Sequence, residues 1–117
     1  MKKLLALVLA AVMMLGIVSV VSAETKPLKI GVAIYKYDDN FMTLYRTELE
    51  KYLTEMGHQV TIVDGKGDQA EQTNQINSFI ADKVDVLIVN LVQSTAAATI
   101  IDLVKAADIP TVFINRE

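Results

Sequence analysis

Apolar positions along this chain follow two alternating rhythms. Residues 28–35 form a near-continuous apolar run, the pattern of a strand buried on both faces. From residue 41 to residue 56 the period lengthens, and Met42, Tyr45, Leu49, Tyr52, Leu53 and Met56 fall on one helical face. Asp39 or Asn40 can cap the start of that helix, and Gly57 stands where a left-handed residue ends one. Residues 59–63 read as a second strand, followed by the turn Asp64-Gly65-Lys66-Gly67. Asp68-Gln69-Ala70-Glu71 reads as a capping box that opens a second helix, with Ile76, Phe79 and Ile80 facing inward. Residues 84–89 predict a third strand ending at Asn90. Ser94 or Thr95 then caps a third helix, whose apolar stripe is Ala97, Ile100, Ile101, Val104 and Ala107. Pro110 stops it, and residues 111–114 form a fourth strand ending at Asn115. Strand and helix alternating with short connections predict an α/β fold with a doubly wound parallel sheet.

The start of the chain carries a different pattern. Lys2 and Lys3 precede an almost wholly apolar stretch over residues 4–21, and Val21-Ser22-Ala23 supplies the small side chains that a signal peptidase reads. Residues 1–23 are therefore expected to be a secretory signal peptide, cleaved between Ala23 and Glu24. An uncleaved anchor is the alternative, since the stretch is near the length that spans a bilayer. The small-residue site and the polar segment behind it favour cleavage. Without the leader the chain has 94 residues, with nine basic against fourteen acidic side chains and a charge of −5. That balance offers no basic stripe to nucleic acid. The chain has no cysteine, so it carries neither a lipoprotein site nor a disulfide, and its stability must come from a hydrophobic core.

Most of the candidate chemistry lies at the ends of the predicted strands, where an open α/β sheet binds its ligand. After the first strand stands Lys36-Tyr37-Asp38-Asp39-Asn40-Phe41. Carboxylates and amides fork their hydrogen bonds to neighbouring hydroxyls, and an aromatic ring presents a flat apolar face to the C–H face of a sugar. Nothing glycine-rich is present there to cradle a phosphate. Asp64 follows the second strand, Asn90 and Gln93 the third, Asn115 and Arg116 the fourth. The plainer reading makes Asp39, Asn40 and Ser94 ordinary helix caps and Asp64 a turn residue. Asp38-Asp39 would also suit magnesium in a phosphoacceptor domain, but Asn90 stands where such a domain needs an aspartate. His58 is the single histidine, expected at the surface just past a helix end, and with no cysteine present neither a zinc site nor Cys–His catalysis is available in this segment. Ser78 and Ser94 have no local base. A carboxylate hydrolase needs two acids straddling the scissile bond, which adjacent residues of one loop seldom do.

The segments IGVAIYKYDDNFM, DQAEQTNQINSFI, VLIVNLV and PTVFINRE resemble the amino-terminal part of the periplasmic galactose/glucose-binding proteins, over essentially all of residues 29–117. These are ABC-transporter solute-binding proteins of the type I periplasmic fold, akin to the ribose binders. The resemblance implies that Asp39 binds a sugar hydroxyl, that Phe41 stacks on the pyranose, and that Asn115 reads ring hydroxyls. Tyr37, Asn90 and Arg116 are expected at the rim. Where the family has Asn-Leu-Val-Asp-Pro after the third strand, this chain has Asn90-Leu91-Val92-Gln93-Ser94, and Arg116 replaces the usual lysine. Family members clamp sugar between two lobes, so residues 24–117 are expected to be a truncated N-terminal lobe. The second lobe's ligands and its calcium loop would lie elsewhere, leaving no cofactor or metal here. The implied function is non-enzymatic capture of galactose- or glucose-type monosaccharides in the periplasm for a membrane permease, with a chemoreceptor as a further partner and no nucleic acid. The rivals are a non-functional truncated product, an exported carboxylate-dependent sugar hydrolase, and a DNA-binding repressor of related fold, against which the leader and the absence of a basic helix-turn-helix argue.

Overall fold

The computed structural model describes residues 26–115; the leader and Arg116 lie outside them. The strands are β1 (Lys29–Ile34), β2 (Gln59–Asp64), β3 (Val86–Val89) and β4 (Thr111–Phe113), and the helices α1 (Asn40–Glu55), α2 (Gln69–Ala81) and α3 (Ala97–Ala106), the last entered through a 3₁₀ turn at Ser94–Ala96. All strand pairs are parallel and the order is β2-β1-β3-β4. Connections from β1 wind toward β2, whereas those from β3 wind toward β4. The topological switch point therefore falls between the carboxyl ends of β1 and β3, where doubly wound sheets place their ligands.

Alternation along β1 divides the core. Ile30, Val32 and Ile34 point to one face, where with Tyr35 and Met42 of α1 they form one buried cluster. Ala33 points to the other, where Leu87 and Val89 of β3 meet Ile76 and Phe79 of α2 and Ile100 and Val104 of α3. Each such aliphatic side chain contributes about 1.5–3 kcal/mol by leaving water. Gly31 shares the second face, and a Cβ there would lie 2.7 Å from the Phe79 ring, so the closeness of α2 to β1 requires glycine.

All three helices stop in one way. After α1, Gly57 N–H donates to Thr54 O and His58 N–H to Leu53 O. After α2, Lys83 donates to Ile80 and Val84 to Phe79. After α3, Asp108 donates to Lys105 and Ile109 to Val104. This is the Schellman pattern, with a left-handed residue at each turning point: φ is 91° at Gly57, 55° at Lys83 and 56° at Asp108. It also explains why β3 begins at Val86 and not at Val84. Val84 belongs to the helix stop, and Asp85 N–H already bonds Lys29 O at 2.7 Å.

The expected cap of the third helix is corrected. Neither Ser94 nor Thr95 caps it: Gln93 precedes the 3₁₀ turn and Ala96 precedes α3, and neither makes a side-chain cap bond. The turn closes by main chain alone, Ala96 N–H to Gln93 O at 3.0 Å. Asp68 does cap α2, accepting from Ala70 and Glu71 N–H at 2.9 and 3.3 Å. Glu71 does not complete the expected box: its carboxylate accepts from Gln75 Nε2 at 3.4 Å, and Asp68 N–H turns to Gly65 O. His58 is also more than a surface residue. It is half-buried, and its Nδ1 accepts from Leu28 N–H at 3.0 Å at the amino edge of the sheet.

Candidate functional site

The loop after β1 is built around Asp39. Its extended backbone makes it the N-cap of α1, and Oδ1 accepts from Met42 N–H at 3.0 Å. Oδ2 accepts from the Tyr35 hydroxyl, whose ring is buried in the core below. The Tyr35 hydroxyl foremost, then the Met42 N–H, hold the Asp39 carboxyl below its ordinary value of 3.8. The carboxylate is thus ionised and oriented before any ligand arrives. Asp38 points away, exposed, with Lys36 Nζ 3.5 Å distant.

Phe41 occupies the first turn of α1 and is 60% exposed. Its ring centroid lies 6.3 Å from that of Tyr45, and together with Leu44, Glu48, Leu49 and Tyr52 the two rings line an open groove along α1. Tyr37 is half-buried beneath the Arg46 guanidinium, 4.0 Å from ring centroid to Cζ. Burial raises its hydroxyl above the ordinary value of 10.0, and the Arg46 charge opposes that rise. Tyr37 lines a depression with Lys36, Asp38, Asp64 and Lys66. Asp64 is a turn residue: its Oδ1 accepts from Lys66 N–H at 2.9 Å. The same turn folds back on β1, with Gly65 N–H on Ile34 O and Gly67 N–H on Tyr35 O, each at 2.8 Å.

The loops after β3 and β4 enclose a depression of about 230 Å³ lined by Asn90, Leu91, Ser94, Phe113, Ile114 and Asn115. Asn115 is exposed at its mouth. Asn90 corrects an expectation: it lies beneath the rim and not on it, with 0% exposure. Its Oδ1 accepts from Tyr35 N–H at 3.2 Å and its Nδ2 donates to Ile114 O at 3.3 Å. A buried amide leaves few hydrogen-bonding atoms unpaired, and here both ends of this one join neighbouring strand ends.

A set of site-building residues had no counterpart among the expected ones. Gln69, Gln72 and Gln75 of α2 each bond main chain at the carboxyl edge. Gln75 Nε2 donates to Asp64 O at 2.7 Å. Gln72, also 0% exposed, donates to Asn90 O at 2.8 Å and accepts from Val92 N–H at 3.0 Å. Gln69 Oε1 accepts from Gln93 N–H at 2.8 Å. The signal in the sequence was the spacing of three glutamines every third residue behind the Asp68 cap. Among the described residues no three histidine, cysteine or acidic side chains converge to hold a metal ion, and no helix is long and apolar enough to cross a membrane.

Among the described residues the geometry therefore provides an edge of oriented acceptors, amides and exposed aromatic rings. Comparison with known proteins agrees with this. Residues 30–117 match the family model described as a periplasmic binding protein domain. The D-galactose/methyl-galactoside binding periplasmic protein of Haemophilus influenzae is 41% identical over 90 residues, which are 76% of this chain and 27% of that protein. An ABC transporter solute binding protein from Bacillus halodurans, solved with myo-inositol, is 28% identical with a TM-score of 0.69, covering 82% of this chain and 33% of its own. A carbohydrate transporter solute binding protein from Chloroflexus aurantiacus, solved with D-glucose, is 27% identical with a TM-score of 0.66, covering 73% and 25%. The chain spans about a quarter to a third of the length of these proteins.

Proposed function

The chain belongs to the periplasmic binding protein domain family, a family of binding proteins and not of enzymes, and from that premise we propose that it forms the sugar-facing edge of an exported ABC-transporter receptor for galactose- or glucose-type monosaccharides. In this reading the leader over residues 1–23 is removed on export to the periplasm. The sugar is handed to a membrane permease, and a chemoreceptor is a second partner. Asp39 accepts from two neighbouring sugar hydroxyls, Phe41 covers a C–H face of the ring, and Asn115 hydrogen-bonds from the far side. Tyr37 flanks them, and Arg116 follows Asn115 in sequence.

The observation that carries the reading is the Asp39 carboxylate, held by the Tyr35 hydroxyl and Met42 N–H at the carboxyl end of β1. An acceptor already charged and oriented loses little on ordering when a neutral polyol arrives. The strand order supports the division of labour. Strands β1 and β4 are separated by β3, roughly 10 Å apart at two strand spacings, a span that one sugar ring with its hydroxyls can bridge.

The test is a residue-resolved NMR titration with D-galactose, D-glucose, D-ribose and myo-inositol. A single edge with half of a receptor's contacts is expected to bind at about millimolar affinity, some 4 kcal/mol. Galactose or glucose should shift the amides of Asp39, Phe41 and Asn115 more than the other two ligands do. Asp39→Ala should weaken binding about tenfold to a hundredfold, the loss of a charged hydrogen bond of roughly 1.5–3 kcal/mol, and Asp38→Ala should change it little. Equal losses at both aspartates, or a preference for myo-inositol, would reject the assignment.

A further inference from the structure

We infer that Gln72 is a positioning residue of the candidate sugar edge, acting through Asn90 as a two-amide relay that fixes the loops after β1, β3 and β4 relative to one another; the sugar part of this inference rests on the function proposed above. Gln72 touches neither Asp39 nor Asn115 in any hydrogen bond described. It holds Asn90 O and Val92 N–H, two residues apart, and so fixes the direction in which the chain leaves β3. That direction aims the Asn90 side chain across the switch point. Its carbonyl end receives Tyr35 N–H, and its amino end reaches Ile114 O, the residue before Asn115. The Tyr35 side chain in turn orients Asp39. The path from Gln72 therefore runs to both expected sugar ligands through five hydrogen bonds, and Gln72 and Asn90 are wholly buried.

The chemistry of the relay matters as much as its geometry. Both members are neutral amides, each using one donor and one acceptor in these bonds, so the arrangement needs no counter-ion and does not titrate. An amide supplies a donor and an acceptor side by side for a C=O and an N–H two residues apart without titrating. A carboxylate at residue 72 could accept from Val92 but would face Asn90 O without a proton to give. The neighbouring Gln69 and Gln75 each make one side-chain bond to main chain, Gln69 to Gln93 N–H in the same loop and Gln75 to Asp64 O at the end of β2, and neither of these bonds involves Asn90.

Three measurements on the isotopically labelled chain test this. In the unmodified protein the side-chain NH₂ groups of Gln72 and Asn90 should exchange with deuterium at least a hundredfold more slowly than those of Asn74 and Asn77, which are exposed on the same helix. Exchange as fast as theirs would overturn the relay without any variant being made. In Gln72→Met, the backbone amide of Tyr35, which Gln72 does not touch, should exchange at least tenfold faster. The control Ile76→Val removes a buried methyl group one turn further along α2 and should leave Tyr35 unchanged relative to its neighbours. If Tyr35 responds equally in both variants, Gln72 supports the helix only and the inference fails. Finally, Gln72→Met should weaken the galactose- or glucose-induced shifts at both Asp39 and Asn115 about tenfold, and Ile76→Val should not. Altered Tyr35 exchange with undiminished sugar shifts would overturn the positioning role. Absence of any sugar shift in the unmodified chain would instead reject the proposed function, while the two exchange measurements would still decide the relay.

Discussion

Two loops at the same edge of the sheet are organised by opposite means. In the loop after β1 the exposed chemistry is oriented by neighbours close in sequence: Asp39 meets Tyr35 four residues before it and Met42 three after it, and Lys36 lies near Asp38. The loop after β3 is held by neutral amides from distant segments, with Gln72 reaching across 18 and 20 residues and Asn90 across 55. The first arrangement leaves an ionised, solvent-reachable group at the carboxyl edge. The second gives up exposure for rigidity, because a buried amide is costly unless both of its ends are paired. Under the proposed function the edge thus pairs a recognising loop with a supporting one.

The largest expected effect falls on the supporting loop. Asn90→Leu would fill similar space but remove the side-chain bonds to Tyr35 N–H and Ile114 O, at about 1–3 kcal/mol for each buried bond lost. Urea unfolding of the chain should show a loss of about 3 kcal/mol. A loss below about 0.5 kcal/mol would mean that water replaces the amide and that the two loops are less different than they look.

A smaller effect is expected in the recognising loop. Asp39→Ala removes the α1 N-cap, typically worth about 1 kcal/mol, whereas Asp39→Ser keeps an oxygen for Met42 N–H and should recover most of that stability. Sugar affinity should not recover with it, since the charge is gone. Recovery of both would reduce Asp39 to a cap.

The mildest perturbation is acid. The folded-state value of Asp39 is depressed, so its contribution is present above the ordinary value of 3.8 and is lost as pH falls through the depressed folded value, a window in which the unfolded chain binds more protons. Between pH 7 and pH 3, the protection of Met42 N–H, measured against its intrinsic exchange rate at each pH, should begin to fall before that of Val92, whose partner is an amide. Tyr35→Phe removes the foremost cause of the depression, and carboxyl NMR titration should then find Asp39 closer to its ordinary value. An unchanged titration would remove Tyr35 from the account.

The same contrast explains what could be read in advance. Four strands, three helices, the Asp39 and Asp68 caps and the turn role of Asp64 were legible because their signals are local: a period of two or 3.6, or an acceptor three residues before its donor. The amide relay was not, because no period or short motif links Gln72 to Asn90 or Asn90 to Tyr35. The start of α3 was misread because Ser94 and Thr95 look like caps, while main-chain bonds of a 3₁₀ turn already serve the chain there. The stop of α2 was not read, and that of α3 was put at Pro110, because Lys83 and Asp108 adopt a conformation that side chains generally disfavour and that glycine announces.

Those stops also set where the chain can change length. Val60 and Val86 each stand three positions beyond a left-handed residue, Gly57 and Lys83, and both pair with Ile30 from opposite sides. Inserting one residue between stop and strand would move that strand by one position and turn its inward side chains outward. Inserting one beyond the carboxyl end, in the stretch from Lys36 to Asp38 or at Lys66, would leave every strand register intact. Gaps accumulated by descent should therefore gather at the carboxyl edge, leaving the opposite edge fixed in length. Receptors sharing this lobe can then diverge in what they bind without losing how they fold.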